Sequence, residues 1–99
     1  MAAHIQTPLT ALFLQATAHD AWLSVADCVS HLERAGYWAR LRELDAAGRA
    51  NHVLGMLRSL RDPSGQLLFE SVEALAGATV TTYYKQRRLI SRGRWNRGP

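Results

Sequence analysis

The chain has 99 residues, 47% hydrophobic and 20% charged, with a formal net charge of +4 and a pI near 10.0. That length suits one small core and leaves little room for an elaborate enzyme pocket or a second domain. A lone cysteine, Cys28, excludes an internal disulfide framework and fits a reducing cytoplasm. The apolar run Leu9 to Leu14 has no basic residue before it and is interrupted by Thr10, so it reads as neither a signal peptide nor a membrane span.

Residues 1–6 are expected to be a disordered N-terminus, residues 7–90 a single domain and residues 91–99 a flexible basic tail. Thr7-Pro8 combines a hydroxyl N-cap with proline at the first helical position, and Leu9, Leu12, Phe13 and Ala16 follow at helical spacing. This predicts a helix from Pro8 to about Ala18. Trp22-Leu23 is apolar and too short for a helix, and has the look of a two-residue β-bridge. Ser24 and Asp27 resemble a capping box with Asp in place of the usual Glu or Gln, and Val25, Cys28, Val29 and Leu32 continue a helix to about Ala35, with Gly36 as its stop.

Trp38, Leu41 and Leu44 form one apolar stripe, and Val53, Met56, Leu57 and Leu60 form another. A break is expected over Asp45 to Gly48, because Asp45 can cap and Gly48 weakens a continuous helix by about 1 kcal/mol relative to alanine. The third helix is then Arg49 to about Arg61. Asp62-Pro63-Ser64-Gly65 is turn chemistry. Gln66 to Glu73 and Thr79 to Ile90, rich in β-branched and aromatic residues around Gly77, read as a hairpin. Its second strand places Val80, Thr82 and Tyr84 on a packing face and Thr79, Thr81, Tyr83, Lys85 and Arg87 on a polar, basic one.

Charge is unevenly distributed along this order. Gly77 to Pro99 carries Lys85, Arg87, Arg88, Arg92, Arg94 and Arg97 with no acidic residue, a net +6, whereas residues 1–76 hold six arginines against all eight carboxylates, a net −2. Such asymmetry points to an anionic partner. The predicted class is α+β: three or four helices first, then a C-terminal two-stranded β-hairpin wing.

Helices, a Pro-Gly turn and a hairpin in this order resemble the winged helix-turn-helix domains of prokaryotic DNA-binding regulators over Leu9 to about Ile90. The carriers are Trp22-Leu23-Ser24-Val25-Ala26-Asp27-Cys28-Val29, the helix Ala50 to Arg61, and the hairpin after Asp62-Pro63-Ser64-Gly65. The match is one of pattern, and the chain departs from it in the segment Tyr37 to Gly48, where the family has a short turn. The resemblance implies that the third helix reads a groove of double-stranded DNA while the hairpin contacts the phosphate backbone, as in a phage or mobile-element transcription regulator.

On that reading the third helix presents Arg49, Asn51, His52, Gly55, Arg58, Ser59 and Asp62. Arg can donate two bonds to guanine and Asn can bracket adenine, each good pair contributing about 1–3 kcal/mol of discrimination. Lys85, Arg87 and Arg88 would meet phosphates, with Arg92 and Arg94 following as a basic arm. The reading requires Arg49, Arg58, Lys85 and Arg87 to share one continuous face. A polar solvated helix face and a solvated tail are the ordinary alternatives for the same residues.

Two other partners fit the same residues. Trp22, Tyr37 and Trp38 suit a protein-interaction module, and Tyr83, Tyr84 and Trp95 could stack unpaired RNA bases. Leu9, Phe13 and Tyr37 leave room for a homodimer. No cofactor, metal site or catalytic residue is expected. Cys28 and His31 lack a second ligand pair, His19-Asp20 fits helix-end capping better than acid–base work, and no phosphate-cradling loop or nucleophile elbow occurs. The chain does not read as an enzyme.

Overall fold

The computed structural model describes residues 8–41 and 43–87. Their elements are α1 (Pro8–Ala16), α2 (Val25–Arg34), a 3-10 turn (Trp38–Arg40), α3 (Ala46–Ser59), β1 (Phe69–Ala76) and β2 (Thr79–Gln86). This is the expected α+β layout, helices first and an antiparallel hairpin last, and it is winged-helix-like. The Thr7 cap, residues 1–6, Arg88 and the tail 91–99 lie outside the described residues.

α1 stops two residues short of the expected Ala18. The backbone N–H and the hydroxyl of Thr17 both donate to Phe13 O, at 3.1 and 2.8 Å, and His19 N then donates to Thr17 O at 3.0 Å, turning the chain away. After this turn Leu23 forms the expected bridge. Its N–H donates to Tyr84 O at 2.8 Å and its carbonyl accepts from Tyr84 N at 2.7 Å, tying the α1–α2 connection to β2.

α2 is set by local chemistry at both ends. Ser24 Oγ accepts from Asp27 N at 3.1 Å while Asp27 Oδ2 accepts from Ser24 N at 3.0 Å, so Asp completes the capping box despite its shorter side chain. At the other end Gly36 adopts φ +75°, Gly36 N donates to Glu33 O at 3.1 Å, and Tyr37 N donates to Leu32 O at 3.0 Å. These are the paired bonds of a Schellman stop, which needs a residue without Cβ strain at Gly36.

The segment after it corrects one expectation. Asp45 does cap, accepting from Gly48 N at 2.7 Å, but the helix starts at once, at Ala46, so Gly48 lies in the first turn of α3 instead of in a break. A Cβ on Gly48 would come 3.1 Å from Asp45 Oδ1 and 3.3 Å from Leu44 Cδ2. Glycine there accommodates the cap, which offsets its poor helix propensity. α3 ends at Ser59, not Arg61, and Leu60 is already extended at ψ 131°. Asp62 Oδ1 then accepts from Ser64 N, Ser64 Oγ and Gln66 N at 2.7–2.9 Å, closing the Asp62–Gly65 turn.

The first strand begins at Phe69, three residues later than expected, because Gln66 to Leu68 are occupied by bonds to other segments. Leu67 bridges Arg61, Leu68 N donates to Leu60 O at 2.9 Å, and Arg87 N donates to Leu68 O at 2.7 Å. The hairpin reverses through Gly77-Ala78, with φ +64° at Gly77 and no positive φ at Ala78. Glycine at the first of two turn residues is the type II′ arrangement, whose twist matches that of the strands.

The register pairs Phe69 with Gln86, Ser71 with Tyr84, Glu73 with Thr82 and Leu75 with Val80. This inner face meets the helices only at its base. Phe69 and Tyr84 are buried, Phe69 stands edge-on to Phe13 at 6.3 Å, and Gln86 Nε2 donates to Leu14 O at 2.7 Å. Phe13 also meets Tyr37 edge-on at 5.7 Å, and Leu23, Cys28, Leu32, Trp38, Val53 and Leu57 complete the core. Phe13, fully buried, would cost about 3–5 kcal/mol on truncation to alanine. Phe13 and Tyr37, two of the residues considered for a dimer contact, are therefore core residues. From residue 71 to residue 80 the whole hairpin is exposed, so the expected packing face packs for only half its length.

Candidate nucleic-acid interface

α3 turns Val53 and Leu57 into the core and leaves Ala47, Asn51, Gly55, Arg58 and Ser59 exposed. Four of these lie among the expected groove-reading residues, and none of the exposed α3 side chains is acidic. The packing does not call for a glycine at position 55: a Cβ there would meet nothing within 4 Å. Glycine inside an exposed helix costs about 1 kcal/mol relative to alanine, and no intramolecular contact offsets that cost.

Arg49 and His52 turn instead toward the 3-10 segment. Arg49 Nη1 lies 3.1 Å from Glu33 Oε1, and its guanidinium sits 5.2 Å from the Trp38 ring centroid. His52 Nε2 pairs with Tyr37 Oη at 2.7 Å, and its ring packs edge-on against Trp38 at 5.6 Å. Burial lowers the His52 pKa and raises that of Tyr37, so desolvation favours the neutral form of both partners in this hydrogen bond. These two residues hold α3 to the segment following α2. Beside them a groove of about 360 Å³ is lined by Glu33, Trp38, Leu41, Glu43 and Arg49, and its two carboxylates make it a poor seat for phosphate.

The hairpin cations are engaged as well. Lys85 Nζ lies 3.5 Å from Asp20 Oδ1 and 5.6 Å from the Trp22 ring centroid, and Lys85 stands opposite Glu70 in the register. Arg87 Nε donates to Leu67 O at 2.9 Å, clamping the strand entry. Arg49, Lys85 and Arg87 thus turn to three separate intramolecular partners, Glu33, Asp20 and the Leu67 carbonyl, whereas Arg58 is exposed. Arg88, Arg92 and Arg94 lie outside the described residues.

The outer face expected to be basic carries Glu70, Val72, Ala74 and Ala76 from β1 beside Lys85, Tyr83, Thr81 and Thr79. No Lys or Arg occurs between Arg61 and Lys85. Residues 8–87 hold seven Arg and one Lys against eight Asp and Glu, so the domain is electrically balanced and the whole +4 resides in Arg88, Arg92, Arg94 and Arg97. Tyr84, considered as a base-stacking residue, is only 6% exposed and faces the core.

The remaining reactive types are structurally employed. Cys28 is 1% exposed, and burial, reinforced by the Asp27 charge, pushes its thiol up to about 12. It is a core thiol and a poor metal ligand. His31 lies 4.1 Å from the His19 ring and 2.8 Å from Arg34 Nη2 through Nδ1, and its pKa is lowered by partial desolvation and those two neighbours. Among the described residues no three His, Cys, Asp or Glu side chains are grouped to hold a metal ion, and no helix is long and apolar enough to cross a membrane.

The ties that occupy Arg49, His52 and Lys85 escape sequence reading because their partners lie far away in the chain. The Tyr37-Trp38 pair directly after the Gly36 stop was the available signal for a buried anchor. Comparison with protein-family models, with curated proteins and with solved structures finds no match for this chain.

Proposed function

We propose that this protein binds double-stranded DNA, with α3 as the groove-reading element and the arginines following the domain as the phosphate contacts. The observation that carries the reading is the exposed α3 face, where Asn51, Arg58 and Ser59 surround Gly55, a glycine that no internal contact requires. A helix lying in a major groove benefits from a small residue at its point of closest approach, with donors on either side. The winged-helix-like layout supplies a rigid platform for that face, bridged to the wing through Leu23 and Tyr84.

Because Lys85 and Arg87 are engaged within the domain, the reading takes a narrower form than the sequence suggests. Affinity comes from Arg88, Arg92, Arg94 and Arg97, and selectivity from Asn51 and Arg58. A cytoplasmic regulator of transcription is the role we assign to such a protein. The test is fluorescence anisotropy with duplexes selected from a random pool. Asn51→Ala and Arg58→Ala should each weaken the selected duplex by about 5- to 150-fold, the equivalent of 1–3 kcal/mol, and weaken a scrambled duplex far less. Equal binding of both duplexes by all three proteins would overturn the assignment of α3.

A protein-interaction role is favoured by a separate observation, the exposed apolar outer half of the hairpin, which no phosphate backbone would attract.

A further inference from the structure

The outward side of α3 places two recognition groups on one line. Asn51 and Arg58 are seven residues apart, so they stand about 20° apart around the helix and about 10.5 Å apart along it. Both are exposed, and among the described residues neither side chain has a hydrogen-bond or ionic partner. Arg49, His52 and Arg61 contrast with them, being held by Glu33, Tyr37 and the Gly65 carbonyl. Gly55 lies between the two, with no Cβ to hold a neighbouring surface away.

The two ends of α3 differ in charge. Exposed Glu43 and Asp45 precede its first turn, and Glu33 stands against Arg49. At the other end Leu68 N donates to the carbonyl of Leu60, the C-cap, at 2.9 Å, and Arg87 N donates to Leu68 O at 2.7 Å. Arg87 is thus two hydrogen bonds from the end of α3, and Arg88, Arg92, Arg94 and Arg97 follow it in sequence. Phosphate is favoured beyond the Arg58 end of the helix and disfavoured beyond the Asn51 end.

Resting on the groove-reading role proposed for α3, we infer that the preferred duplex carries an adenine and a guanine about two or three base pairs apart, bracketed by Asn51 and Arg58, with the phosphates of the arginine segment on the guanine side. An amide presents a donor and an acceptor, the match for adenine N7 and N6, whereas a guanidinium presents two donors, the match for guanine O6 and N7. The spacing has two independent bounds. A helix parallel to the duplex axis spans about three steps of about 3.4 Å over its 10.5 Å. A helix lying along the groove uses about three residues per base, which gives just over two steps for seven residues. Asn51 has the shorter side chain, so its contact requires the close approach that Gly55, one turn away, allows. Ser59, about 80° round the helix from Asn51, falls off this line and suits a phosphate.

The test is selection of duplexes from a random pool by the full chain, then anisotropy titration of the best duplex with each base pair replaced in turn. The expected consensus contains an A·T and a G·C pair at the stated spacing. Replacing the A·T pair should weaken the parent about 5- to 150-fold and Asn51→Ala hardly at all, and the G·C pair should stand in the same relation to Arg58→Ala. Circular dichroism of both variants should match the parent, since both side chains are exposed. Hydroxyl-radical protection should extend past the guanine and vanish there when Arg88, Arg92, Arg94 and Arg97 are changed to alanine. Losses that persist in the two variants, critical pairs at any other spacing, or protection extending past the adenine would overturn the inference. A preference that still depends on Asn51 and Arg58 in such a case would leave the groove reading standing, whereas duplex binding without any sequence preference would remove both.

Discussion

Replacing Gly55 with alanine separates what the fold needs from what a partner needs. Gly55 lies within α3, exposed, and the added methyl would meet nothing within 4 Å. Helix propensity then acts alone, and Gly55→Ala should stabilise the domain by about 1 kcal/mol. For a domain of this size that is a rise of about 5 °C in Tm, measurable by circular dichroism at 222 nm. On a bound duplex the same methyl would occupy the space in which the groove approaches the helix, so affinity should fall by about tenfold, equivalent to 1.4 kcal/mol. The two effects have opposite signs. A more stable protein with unchanged duplex affinity would refute the close approach of α3 to DNA, and a less stable one would refute the open surroundings of Gly55. Gly48→Ala is the internal control. Its methyl meets Asp45 Oδ1 at 3.1 Å, so the propensity gain of about 1 kcal/mol should be offset by damage to a cap of similar magnitude.

Further outcomes follow from the residues around α3 and the hairpin. Tyr37→Phe removes the 2.7 Å bond to His52 and should cost about 1 kcal/mol in urea unfolding. The His52 pKa is lowered from 6.5 by burial, so as pH falls the unfolded chain takes up the proton first. Stability from this group is complete above about pH 6.5 and declines as pH drops toward the folded pKa. Tm measured from pH 8 to 5 should fall on the acid side, and His52→Gln should flatten part of that fall. Lys85→Ala breaks an exposed pair with Asp20, worth at most about 1 kcal/mol, and should leave the salt dependence of duplex binding nearly unchanged.

Local chemistry made much of the fold legible. Ser24, Asp27 and Gly36 set the ends of α2 through neighbours no more than a few residues away, and Trp22-Leu23 was recognisable as a bridge because the run is apolar and too short for a helix. Gly77 marked the reversal. Gly48 was misread because propensity alone treats glycine as a helix breaker, whereas its small size lets Asp45 cap the first turn. Tertiary partners hid the rest. Glu33 for Arg49, Asp20 for Lys85 and the Leu67 carbonyl for Arg87 are distant in sequence, and the two-residue period of β2 could not show that its inner face outruns the helices beyond Tyr84. Two cations counted in sequence as available for phosphate, Lys85 and Arg87, and one counted for base contact, Arg49, are already engaged within the domain.

The division between a neutral reading domain and a cationic segment is tested most directly by the salt dependence of duplex binding. Anisotropy titrations at a series of salt concentrations should give a log–log slope of about −3.5 for the full chain, near 0.9 for each of four neutralised phosphates. Changing Arg88, Arg92, Arg94 and Arg97 together to alanine should bring the slope close to zero and weaken all duplexes alike. A steep slope that survives this change, or duplex binding that is flat with salt in the parent chain, would contradict the account.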